Sequence, residues 1–114
     1  MKLHQPTPEL PVADVKAAQV YYRDAFGFEV GWYNELARKG AVFHGDCAIF
    51  FQETAGPITP VVLWIFSENV DEAYENLVAS GADIVSPLKD TPWGLRQFTV
   101  QDGEGHHLHI FVDL

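Results

Sequence analysis

The 114-residue sequence contains one cysteine, Cys47, which excludes an intramolecular disulfide. The apolar run Ala48-Ile49-Phe50-Phe51 follows it, so the thiol reads as structural, in a half-buried strand. A nucleophilic role would need a basic or histidine neighbour in space, and His44 is close only in sequence. No apolar run approaches the ~20 residues that cross a bilayer. The opening Met1-Lys2-Leu3-His4-Gln5-Pro6 also lacks the apolar stretch of a secretory leader. The expectation is a cytoplasmic chain with no membrane partner. Basic residues are scarce, 7 against 16 acidic, for a formal net charge of -9. Nucleic-acid partners require clustered Lys and Arg, so none is expected. An acidic surface draws in cations, although it also serves solubility alone.

What the chain does have is apolar content: 47% hydrophobic against 20% charged residues, a globular composition. Its length suits one domain, residues 1–114, with a single core. Leu10 and Val12 alternate with Glu9 and Pro11 in a predicted strand over Thr7–Ala13, whose prolines suit an edge or an exchanged arm. Asp14 is a predicted N-cap for a helix carrying Val15, Ala18, Tyr22 and Ala25, and Gly27 is its stop. Three strands follow, over Phe28–Tyr33, Gly40–His44 and Cys47–Glu53. Thr54–Pro60 reads as a linker.

Beyond it the order repeats. Val61–Phe66 is a predicted strand. Asn69 with Glu72 forms a capping-box pattern, and Val70, Ala73, Leu77 and Val78 make the buried stripe of a second helix. Gly81 stops that helix, and strands follow over Ala82–Pro87, Leu95–Gln101 and His107–Val112. The expected fold is therefore α+β, two tandem βαβββ modules over about residues 1–55 and 56–114. Neither half can cover its sheet alone, so two curved mixed sheets around a shared cavity are expected, with a small molecule inside.

Four segments resemble the vicinal-oxygen-chelate superfamily, which includes glyoxalase I, extradiol dioxygenases and bleomycin-resistance proteins. They are Leu10-Pro11-Val12-Ala13-Asp14, Tyr21-Tyr22-Arg23-Asp24-Ala25-Phe26-Gly27-Phe28, Asn69-Val70-Asp71, and Trp93-Gly94-Leu95-Arg96 running on to Asp102-Gly103-Glu104-Gly105. The last segment looks most like the bleomycin-resistance branch. In the metalloenzymes of the family, His, Gln or Glu from the first and last strand of each module hold a divalent metal. Carried over, those positions fall on Thr7, Phe50, Val62 and His109, of which only His109 binds metal. A shift in register would bring in Glu9 or Gln52 beside His109. The resemblance thus implies a cavity without a metal cofactor, with a divalent metal as the alternative.

The run Gly105-His106-His107-Leu108-His109 looks like a metal cluster but cannot act as one in a strand. Alternation sends His107 and His109 to one face, about 7 Å apart, and His106 to the other. The pair is read as a polar cavity wall. Trp32, Trp64, Trp93 and Phe50 supply rings able to stack on a planar or cationic ligand, with Trp64 on the face of Val62. Glu9 offers a negative charge to such a ligand, and Arg96 faces either a ligand carboxylate or an internal acid.

Together these readings lead to a metal-independent binding protein of the bleomycin-resistance type. It would sequester a planar or cationic aromatic compound, without turnover, at the cavity of a homodimer whose N-terminal strands are open to exchange. The alternative is a metal-dependent glyoxalase-like lyase or isomerase, or a dioxygenase-related enzyme, in which a Lewis-acid metal engages vicinal oxygens.

Overall fold

A computed structural model describes residues 1–114. The elements run β1 (Glu9–Val12), α1 (Val15–Phe26), β2 (Glu29–Asn34), β3 (Lys39–His44), β4 (Cys47–Glu53), β5 (Val62–Phe66), α2 (Val70–Ala79), β6 (Asp83–Asp90), β7 (Leu95–Gln101) and β8 (His107–Asp113). This is the expected βαβββ order, twice. Each module forms one four-stranded mixed sheet, ordered β1-β4-β3-β2 and β5-β8-β7-β6. In both, the first strand crosses over through the helix and returns to pair in parallel with the last strand, while the other pairs are antiparallel. β1 completes the sheet of its own chain, and residues 1–8 precede it as an arm.

The helix boundaries follow local chemistry. The Asp14 carboxylate accepts from the Ala17 N–H at the start of α1, and Gly27 ends it in the left-handed region at φ 73°. Asn69 caps α2 through the Glu72 N–H, and Glu72 returns a contact to the Asn69 side-chain amide at 3.2 Å. The buried stripe of α2 differs from expectation at one place. Val70, Ala73, Tyr74 and Leu77 pack on the core, with the Tyr74 ring 5.0 Å from Phe98, whereas Val78 is half exposed. At 100° per residue Val78 lies about 80° from Val70, off the stripe that positions 70, 73, 74 and 77 define. Strand β6 also continues past Pro87 to Asp90. An edge strand tolerates the missing N–H, and the register shifts around Pro87.

One core runs beneath both sheets, from Leu10, Val12, Tyr22 and Phe51 of the first module to Val70, Phe98, Val100 and Leu108 of the second. Polar groups clasp the modules at the same level. Tyr22 Oη donates to Asp102 Oδ2 at 2.6 Å, and the Ala13 N–H donates to Glu104 Oε1 at 2.9 Å. His106, fully buried, accepts from the Val61 N–H at Nδ1 and therefore donates through Nε2 to the Pro11 carbonyl at 2.7 Å. The helices cover one face of each sheet. The opposite faces are left open, and the molecule is a slab of 44 × 39 × 24 Å whose short axis matches one sheet layer plus one helix layer.

Candidate functional site

Strand alternation and register set out the open face of the second sheet in three rows. Asp83, Gln101, His107 and Val62 form the first; Ser86, Thr99, His109 and Trp64 the second; Lys89, Gln97, Phe111 and Phe66 the third. Val62, Trp64 and Phe66 are 54%, 51% and 53% exposed, unusual for large apolar side chains in a continuous row. Trp64 lies over His109 with ring centroids 4.3 Å apart and touches Phe111 at 5.7 Å, and Phe111 in turn meets Phe66 at 5.8 Å. The result is an aromatic platform whose successive ring pairs are inclined at 37°, 77° and 72°. Trp93, in the turn after β6, hangs at its rim and donates from Nε1 to Gln97 Oε1 at 3.1 Å.

The histidines of this face are held from below and from the side. Thr99 Oγ1 and His109 Nδ1 are 2.5 Å apart, and His107 Nε2 is 2.9 Å from Gln101 Oε1. Burial, and secondarily the charge of neighbouring His107, lowers the His109 pKa from its ordinary 6.5. Near neutral pH the His109 ring is therefore uncharged.

The first sheet presents a smaller open face. Gln19 of α1 is buried and its Nε2 donates to the carbonyls of Trp32 and Ala41 at 3.0 Å, holding β2 and β3 where their register shifts between Val30 and Tyr33. That shift aims Trp32 at Phe50, ring centroids 5.1 Å apart. Glu9 stands beside them, paired to Lys39 Nζ at 2.7 Å. Gln52 is spent on structure, its amide donating to the carbonyls of Ala37, Arg38 and Glu53. The two sheets meet at a cleft of about 1070 Å³, where Thr7 and the rest of the arm face Cys47, Trp64 and Phe66. Burial pushes the Cys47 thiol up, away from the thiolate a nucleophile requires.

The structure thus gathers Val62, Trp64, His107 and His109 into one patch, with Trp93 at its rim, and sets Trp32, Phe50 and Glu9 together on the other sheet. Arg96 stands apart from both. It lies under α2, its Nε 2.7 Å from Asp71 and Nη1 2.9 Å from Asp90, and these acids hold the guanidinium pKa above its ordinary value. Of its two expected partners, the internal acid is the one present. Phe66, Phe111, Thr99 and Gln101 belong to the platform but were not singled out by sequence. Extending the alternation 62-64 and 107-109 by one step finds the first two.

The residues do not fit a divalent metal of the kind that metalloenzymes of this fold hold. Nowhere do three His, Cys, Asp or Glu side chains converge in a geometry suited to one. Thr99 and Gln101 occupy one ring nitrogen of His109 and His107 respectively, and the neighbours of these rings are Trp64 and Val62 rather than carboxylates. No helix is long and apolar enough to cross a membrane.

Comparison with solved structures gives the same fold throughout. TioX from Micromonospora sp. ML1 is 29% identical, with a TM-score of 0.80 over 97% of this chain and 100% of that one. A bleomycin-binding protein complexed with bleomycin is 19% identical, TM-score 0.82, over 98% and 100%. A glyoxalase-related enzyme from Clostridium phytofermentans is 16% identical, TM-score 0.80, over 100% and 98%. No curated protein sequence matches the chain significantly. The family model for the Glyoxalase/Bleomycin resistance protein/Dioxygenase superfamily matches residues 2–110, nearly the whole length. With its twofold βαβββ architecture, the chain belongs to that superfamily.

Proposed function

We propose that the protein binds a planar aromatic compound, cationic or neutral, and sequesters it without chemical change. The observation that carries this reading is the exposed platform of Trp64 on His109, continued by Phe111 and Phe66. A flat ligand laid on it buries apolar area on both partners and gains ring stacking. A ligand cation adds attraction to the face of Trp64 and to the -9 charge of the chain. A second copy of the chain completes the enclosure, because a platform half exposed on one protomer is a shallow site and small-molecule sites are concave. The similarity in fold to a bleomycin-binding protein is consistent with this use, and at 19% identity it leaves the ligand open.

Thermal unfolding with and without added compounds tests the reading. Stabilisation by planar aromatic cations in the presence of a chelator is expected. Stabilisation by nickel, zinc or manganese, with no response to any aromatic cation, would overturn it.

A further inference from the structure

The first row of the platform face fixes the proton positions on His107. Asp83 is a carboxylate and offers only acceptors, so the Gln101 side chain must turn its NH2 toward it, and Nε2 lies 3.4 Å from Asp83 Oδ2. That orientation leaves Gln101 Oε1 toward the histidine, 2.9 Å from His107 Nε2. An amide oxygen only accepts, so the hydrogen of neutral His107 resides on Nε2. Nδ1 then carries a lone pair, and it has no partner within the chain. The His107 ring stands nearly perpendicular to His109, centroids 6.5 Å apart, at the side of the Trp64 stack.

From this geometry we infer that His107 selects ligands bearing an N–H donor, accepting that hydrogen at Nδ1, with Gln101 and Asp83 as positioning residues that hold the tautomer. The inference deepens the sequestration reading and rests on it. Stacking alone takes any flat ring, whereas a fixed acceptor at the edge of the stack separates planar amines and protonated ring nitrogens from fully alkylated analogues. In the other tautomer Nδ1 would be a donor and the preference would reverse.

Two tricyclic monocations of like size test this by Trp fluorescence titration near neutral pH: aminoacridine, which carries N–H donors, and N-methylacridinium, which has none. The expected result is about a tenfold preference for aminoacridine, reduced to near equality in His107→Phe, which keeps a ring and loses the acceptor. Nitrogen chemical shifts of His107 in the free protein should show Nδ1 unprotonated, and Gln101→Met should turn that signature into a mixture of tautomers. Equal affinity of the intact protein for both cations, or a protonated Nδ1 on neutral His107, would overturn the inference while leaving sequestration standing. Binding of neither cation would overturn the sequestration reading beneath it.

Discussion

Replacing Tyr22 by Phe removes one oxygen from the clasp between the modules and changes little else. The ring is buried and meets Phe26 and Phe51 edge-on at 4.9 and 5.0 Å, contacts that Phe retains. Asp102 Oδ1 accepts from the Glu104 and His106 N–H groups, but Oδ2 accepts only from Tyr22. Burial, reinforced by the Asp102 carboxylate, drives the Tyr22 pKa far upward, so the hydroxyl remains a donor at any working pH. Tyr22→Phe therefore strands a carboxylate oxygen in the core. A buried hydrogen bond to a charged group contributes roughly 1.5–3 kcal/mol. For a domain of this size that lowers Tm by about 6–12 °C. Urea unfolding should show the loss in the midpoint with an unchanged slope. The neighbouring Tyr21→Phe is the control: its hydroxyl sits 3.4 Å from the Gln101 carbonyl on partly exposed surface, and the expected loss is under about 0.5 kcal/mol. Equal small losses in both variants would refute the assignment of the clasp to Tyr22 and Asp102.

Other perturbations have equally definite expectations. Gly40→Ala places a methyl 2.6 Å from Val15 Cγ1 and 2.9 Å from Gln19 Nε2, wedging α1 off its sheet, and should cost about 1–3 kcal/mol in chemical denaturation. Gln19→Leu leaves the Trp32 and Ala41 carbonyls without their shared donor, so it should destabilise by about 1–3 kcal/mol and broaden the Trp32 indole signal in NMR spectra. The lowered pKa of His109 means that the folded chain binds fewer protons than the unfolded one. Its contribution to stability is complete above about pH 6.5 and is lost as pH falls through the lower folded value. The ring faces Thr99, Trp64 and His107, with Asp83 reached only through Gln101. His109→Gln should flatten the slope of unfolding free energy against pH in that window.

The repeat, the two caps and most strand boundaries were legible because they rest on local signals: an Asp or Asn before an apolar stripe, a Gly after it, and alternation in the strands. Cys47–Glu53 and Leu95–Gln101 were legible to the residue. Alternation alone also separates His106 from His107 and His109. Less legible was whatever depends on two distant segments meeting. Nothing local in Asp102 or His106 announces that they bind Tyr22 and Pro11, 80 and 95 positions away. Arg96 was ambiguous because only Asp90 faces it locally, across the β6–β7 hairpin, whereas the crossover is needed to bring Asp71 of α2 to it. The tautomer of His107 was likewise hidden, since it follows from a register that lines up Asp83, Gln101 and His107 across three strands.

We propose that this member of the superfamily binds flat aromatic compounds on the Trp64 platform without a metal. Isothermal titration of aminoacridine into chelator-treated protein and into Trp64→Ala tests it most directly. Saturable binding to the intact chain is expected, with affinity at least about tenfold weaker in the variant, the loss expected for one stacked ring. Saturable binding of equal strength in both proteins, or binding that appears only after a divalent metal is restored, would contradict it.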